Sequence, residues 1–152
     1  MTNLKINDPA PAFSVPNQDG RLISLSDYSN KKLIVFFYPK DNTPGCTAES
    51  CNLKENYSLL LEKGFDVVGV SADSEVSHQK FISKYELPFD LLADTTKKMI
   101  QDYGVWGEKK FMGKVYDGIH RTTFVISDGI IENIFTKVKT KDHTQQILEA
   151  YK

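Results

Sequence analysis

Two cysteines occur in this chain, Cys46 and Cys51, both inside the stretch PKDNTPGCTAESC that directly follows the apolar run Leu33-Ile34-Val35-Phe36-Phe37-Tyr38. An apolar run that ends in a proline-containing turn predicts a strand handing over to a helix, a junction where thiolates become reactive. Thr43 followed by Pro44 predicts the helix start, because threonine caps and proline at the first helical position forfeits no hydrogen bond. Cys46 then falls in the first turn, beside free backbone N–H groups and the positive end of the helix dipole, which favour thiolate over thiol. The chemistry on offer is nucleophilic attack by sulfur, with the Pro39 ring and the Thr43 hydroxyl around it. As the cap, that hydroxyl is expected to accept from the helix backbone and to donate toward the sulfur or a bound oxygen.

Plainer readings compete. A free cysteine is often just a small buried hydrophobe, although polar and turn-forming neighbours argue against that at Cys46. Capping alone would explain Thr43, and strand termination alone would explain Pro39. Cys51 lies five positions after Cys46, which on an intact helix means about 7.5 Å of rise and faces more than a hundred degrees apart. A disulfide needs Cα atoms within about 7 Å. Pairing would therefore require the first turns to unwind, so the reduced protein should keep the helix and the oxidised one should melt or rebuild it. The competing reading of Cys51 is a helix-face residue with no redox role.

At 152 residues the chain fits one domain, residues 1–152, large enough to bury a core without metals or staples. Apolar residues make up 40% and charged residues 26%, as in ordinary soluble proteins. A formal net charge of −1 argues against a nucleic-acid partner, which would need a basic face. The N-terminal stretch carries charge and proline where a secretory signal needs an unbroken apolar run, and no segment has membrane-spanning length. A cytoplasmic location is expected, with no membrane contact, and in that reducing compartment the cysteines read as transient and catalytic. Neither a metal nor a cofactor is expected, since His78, His120 and His143 are scattered and make no ligand pair. His78 and His143 read as helix-surface residues.

The elements that must position this sulfur follow from periodicity. Residues 12–15 and 21–25 flank Asn17-Gln18-Asp19-Gly20 and predict a β-hairpin. Strands are expected over 33–38, 65–71 and 89–92, and helices over 44–63, 75–85, 96–103 and 142–151. The helix over 44–63 turns Leu53, Tyr57, Leu60 and Leu61 to a sheet, and that over 75–85 turns Phe81, Ile82 and Tyr85 inward. Residues 106–120 read as a long loop of suspected function, with Trp106 in loop packing or a dimer contact. Residues 122–127 and 130–136 form a second hairpin across Asp128-Gly129. Alternating strands and helices followed by an antiparallel hairpin and a closing helix imply an α/β, thioredoxin-like fold: a mixed central sheet flanked by helices, with an added N-terminal β-hairpin.

Pro39, Thr43 and Cys46 in YPKDNTPGCTAESC resemble the peroxiredoxin signature P-x-x-x-T-x-x-C. Together with YGVWGEKKFMGKVYDGIHRTTFVI they resemble the bacterioferritin comigratory protein, or Q-type, branch over nearly the whole chain. The resemblance implies a thiol peroxidase with Cys46 as peroxidatic and Cys51 as resolving cysteine, forming an intramolecular disulfide. It also implies that Arg121 is the active-site arginine, which residue patterns alone do not single out, and that Glu49 orients it. Cys46 thiolate would take an oxygen from hydrogen peroxide or an organic hydroperoxide, and thioredoxin or a similar dithiol protein would reduce the disulfide. A monomer is favoured over a homodimer because both sulfurs lie in one chain. The rival readings are a thioredoxin-like disulfide oxidoreductase, whose C-x-x-C spacing is absent here, and a peroxide-sensing thiol protein. His120 should point to the opposite side of its strand from Arg121, without a catalytic role.

Overall fold

The computed structural model describes residues 2–152. Its centre is a five-stranded mixed sheet in the order β5-β4-β3-β8-β9, built from β3 (Lys32–Phe37), β4 (Phe65–Ser71), β5 (Asp90–Ala93), β8 (Thr122–Ser127) and β9 (Ile130–Phe135). β3, β4 and β5 run parallel, while β8 pairs antiparallel with β3 and β9 antiparallel with β8. This is the thioredoxin-like mixed sheet expected of the α/β order.

After Lys32, β3 is an unbroken apolar run because both of its faces are covered. Leu33, Val35 and Phe37 enter one core, and Ile34, Phe36 and Tyr38 enter the other. The first core is closed by α4 (Lys98–Asp102), through Met99 and Ile100, and by the hairpin β1 (Ser14–Pro16) and β2 (Leu22–Ser24), through Val15 and Ile23. The second is closed by α1 (Pro44–Glu55), α2 (Tyr57–Glu62), α3 (Glu75–Tyr85) and α5 (His143–Glu149), which bring Cys46, Leu53, Leu60, Phe81 and Ile147 onto the sheet.

Two expectations are corrected. The single helix over 44–63 is broken at Asn56, where the Asn56 side-chain amide donates to the Asn52 carbonyl at 2.8 Å. Asparagine competes for helix carbonyls in this way, and α2 restarts at Tyr57. The loop expected over 106–120 is an antiparallel hairpin, β6 (Trp106–Phe111) and β7 (Lys114–Ile119). Most of its side chains are exposed on both faces, so no apolar alternation marks it, and its turn is Met112-Gly113, with both residues at positive φ.

In the centre of β4, Gly69 has no room for a side chain: a Cβ there would lie 2.7 Å from both Leu91 Cδ2 and Phe36 Cζ. Gly69→Ala is therefore expected to destabilise the fold by about 1–3 kcal/mol in chemical denaturation, whereas an unchanged midpoint would show that the two side chains yield freely.

Candidate active site

Sheet register brings the site together. Phe37 lies opposite Thr122 in the β3–β8 pair, so Arg121, the residue before β8, arrives level with the end of β3, where the chain turns through Pro39 into α1. The buried positions of α1 are Cys46, Glu49, Ser50 and Leu53. That is the i, i+3, i+4, i+7 stripe of a helix lying on a sheet, yet only Leu53 is an ordinary core residue.

Cys46 is 1% exposed, and its sulfur accepts a hydrogen bond from Arg121 Nη2 at 3.3 Å. Nη1 of the same guanidinium donates to Glu49 Oε1 at 2.8 Å. The rigid fork of arginine suits this double duty, and a charged donor stabilises negative charge on sulfur. Gly45 makes the approach possible, since a Cβ there would sit 3.1 Å from Nη2. Lys109, on β6, adds a second cation nearby: its Nζ donates to the Ile119 carbonyl at 2.8 Å. Its pKa is lowered by burial and by the charge of Arg121, while Cys46 pulls it up.

Thr43 takes the N-cap position with extended backbone, but its hydroxyl makes no capping hydrogen bond and donates instead to the Lys40 carbonyl at 2.9 Å. The expected donation toward sulfur is thereby corrected: the one hydroxyl proton is spent inside the loop, and the oxygen is left to accept from an incoming O–H. Pro39 is half-buried, between the enclosed Tyr38 and the exposed Lys40. Cys51 is half-buried on a different face of the intact helix, and both cysteines are free thiols or thiolates. Burial pushes the Cys51 thiol up, with Lys54 opposing and Glu55 assisting. His120 Nε2 donates to the Glu108 carbonyl at 3.0 Å, fastening the β6–β7 hairpin rather than facing the sulfur.

Both surface assignments for histidine are corrected, because His78 and His143 are fully buried. Each heads the inward stripe of its helix, His78 three residues before Phe81 and His143 four before Ile147, a position that spacing marks but polarity disguises. His143 Nδ1 faces Gln146 Oε1 at 3.0 Å, and Nε2 faces the Thr123 hydroxyl at 2.8 Å. Gln146 uses its amide nitrogen on the Lys137 carbonyl, so Oε1 accepts and Nδ1 carries the imidazole proton. Nε2 of this neutral ring also lies 3.5 Å from Glu49 Oε2, a buried oxygen with no hydrogen-bond partner. Asp41, Asp73 and His78 offer metal-ligand atoms within 4.8 Å of one another, but these atoms are engaged with each other and with Ser71 and Ser77. A cavity of about 570 Å³ lies between β1 and α4, lined by Phe13, Val15 and Met99 among others, and includes none of the residues around Cys46.

The two buried groups titrate with opposite sense. Burial pushes the Glu49 carboxyl up to about 7 against the pull of Arg121. The folded state thus binds the Glu49 proton more tightly, and this contribution to stability is full below the usual carboxyl range and lost as pH rises toward 7. Burial pushes His143 down to about 4, with Gln146 opposing and the charge of Arg121 assisting, so its contribution is full above the usual imidazole range and lost as pH falls toward 4. Glu49→Gln is expected to remove the loss of stability on approach to pH 7 and to leave the loss toward pH 4, as read by denaturation midpoints across that range. An unchanged slope near neutrality would show that Glu49 does not titrate there.

The AhpC/TSA family model matches residues 6–134. Peroxiredoxin Bcp of Escherichia coli (strain K12) is 45% identical over 153 aligned residues, covering 100% of this chain and 98% of that protein. A mutant of Xylella fastidiosa PrxQ has a similar structure, with a TM-score of 0.91 at 29% identity over 99% of this chain and 97% of its own. Xanthomonas campestris Peroxiredoxin Q, also solved as a mutant, gives 0.87 at 30% identity over 99% and 96%. With the likeness running the length of the molecule, the chain belongs to the AhpC/TSA family, as a peroxiredoxin of the Bcp or Q type and thus a thiol peroxidase.

Proposed function

We propose that Cys46 is the peroxidatic sulfur, that Cys51 resolves it, and that Thr43, Arg121 and Pro39 complete the site, with Glu49 holding Arg121. The observation that carries the reading is the 3.3 Å contact from Arg121 Nη2 to Cys46 Sγ, braced by Glu49. The Cys46 thiolate attacks the terminal oxygen of a hydroperoxide; an S–O bond forms, the O–O bond breaks, and the oxygen's proton leaves with the water or alcohol. Arg121 and the N–H groups opening α1 stabilise the charge that develops along the breaking bond, while Thr43 accepts from the distal hydroxyl. Pro39 shields the sulfur from water and bulky reagents. The sulfenate, once protonated, is a sulfenic acid.

The Cys51 thiol then displaces hydroxide from the sulfenic sulfur, giving the intramolecular disulfide and water. Because both sulfurs occupy the intact α1, that step requires local unwinding. Recycling takes two electrons and two protons from an external dithiol protein, thioredoxin or its like. Residues 1–152 act as one domain, as a monomer in the cytoplasm and without nucleic-acid or membrane partners; among the described residues no helix is long and apolar enough to cross a membrane.

Mass spectrometry after one equivalent of peroxide tests these roles. Wild type is expected to lose two hydrogens as the disulfide, Cys51→Ser to stop at a trappable sulfenic acid, and Cys46→Ser to leave peroxide unconsumed. Arg121→Met is expected to slow the first step about 10²–10³-fold. Peroxide consumption by Cys46→Ser, or undiminished turnover of Cys51→Ser with a dithiol reductant, would contradict the assignment.

A further inference from the structure

A second buried polar network flanks the loop that carries Thr43, and the chemistry above makes no use of it. Asp41, 7% exposed, donates its backbone N–H to Asp73 Oδ2 at 2.8 Å. Its carboxylate accepts from the Tyr38 hydroxyl and from Ser77 Oγ, the latter at 2.8 Å, and faces His78 Nδ1 at 2.7 Å. His78 Nε2 lies 2.9 Å from the Leu92 carbonyl. A carbonyl only accepts, so Nε2 carries a hydrogen, and Nδ1 lies between the Asp41 carboxylate and the Tyr38 hydroxyl, the latter 3.4 Å away. The next residue, Asn42, has a left-handed φ of 61° and accepts at Oδ1 from the Tyr85 hydroxyl and Lys84 Nζ at 3.2 and 3.3 Å. The two residues that precede Thr43 are thus both fastened to α3 or the segment leading into it.

The far side of the cysteine pair is fastened as well. Asn52, directly after Cys51, donates from Nδ2 to the Lys141 carbonyl at 2.9 Å and accepts at Oδ1 from the Thr144 N–H at 2.8 Å. Lys54 Nζ donates to the Tyr85 carbonyl at 2.7 Å. Between the fastenings lie residues 44–51, which hold both sulfurs. As a helix these eight residues span about 12 Å, and fully extended they reach roughly 26–29 Å. That slack permits unwinding with both ends held.

Resting on the disulfide step proposed above, we propose that unwinding during resolution is confined to residues 44–51, with the buried Asp41–His78 pair fixing one end on α3 and Asn52 fixing the other on α5. His78 is then a positioning residue: it touches neither sulfur nor peroxide, and through Asp41 it keeps Thr43 placed throughout the cycle. The bond from Glu49 to Arg121 lies inside the released segment and is surrendered when the helix opens. Reduction need only rewind about two turns to rebuild the site.

Hydrogen exchange read by mass spectrometry on the reduced full chain and on the peroxide-oxidised chain tests this. With the disulfide verified by mass, the expected result is loss of protection at the amides of 47–55, which bond to the carbonyls of 43–51 while the helix is wound, and retained protection at the flanks, the Asp41 N–H and the amides from Asn56 onward. Protection lost at either flank, or retained at the amides of 47–55 despite the disulfide, overturns the confinement alone. Failure to form the disulfide overturns the peroxidase roles and the confinement with them. His78→Gln is expected to open exchange at the Asp41 N–H already in the reduced state and to slow sulfenic acid formation roughly ten- to a hundredfold, with the amides from Asn56 onward still protected. Exchange raised uniformly along the chain, or an unchanged rate and unchanged exchange at Asp41, would mark His78 as merely structural.

Discussion

A positive charge held in place behind a sulfur is the constraint on which this molecule depends. The Arg121 side chain is 22% exposed, and its partner Glu49 is fully buried, so the pair is screened far less than a surface ion pair. Holding ionised groups there has a desolvation cost that only good geometry offsets. The geometry comes from two fixed pieces: the β3–β8 register, which delivers Arg121 to the end of β3, and the inward stripe of α1, which stacks Cys46 and Glu49 one turn apart. Gly45 opens the space between them. A one-residue slip of β8 would send the Arg121 side chain to the opposite face of the sheet.

The same helix must hold this arrangement and later give it up. A helix stripe of four aliphatic residues would bind α1 to the sheet too firmly to unwind on demand; here the stripe is Cys46, Glu49, Ser50 and Leu53, with one aliphatic residue near the C-terminal end. The oxygens Glu49 Oε2 and Ser50 Oγ are buried without partners, and unsatisfied groups of this kind weaken burial locally. Few apolar contacts and imperfect polar pairing are what a segment of low local stability requires. Rigid neighbours compensate, since the apolar strand β3 and the tethers from α3 and α5 do not share that weakness.

Much of this was legible in the residues. Strand-to-helix order, the placement of Cys46 in a first turn and the incompatibility of an intact helix with a Cys46–Cys51 bond follow from period and spacing. What escaped was polar burial. Glu49, His78 and His143 all stand at inward helical positions; the resemblance alone singles out Glu49, and the two histidines read as solvated because their polarity argues against a core position, since their partners lie far away in sequence. The hairpin β6–β7 escaped for the reverse reason, since strands exposed on both faces carry no alternation. The break at Asn56 depends on a side chain competing for one carbonyl, a choice that apolar spacing does not register.

The account holds that Glu49 influences the sulfur only by way of Arg121, and a double-mutant cycle on the first step tests that most directly. The rate constant for peroxide attack would be measured by stopped flow in wild type, Glu49→Gln, Arg121→Met and the double variant. If the chain of contacts is real, the double variant reacts no more slowly than Arg121→Met, because the carboxylate has nothing left to hold. Independent, multiplying losses from the two substitutions would contradict it.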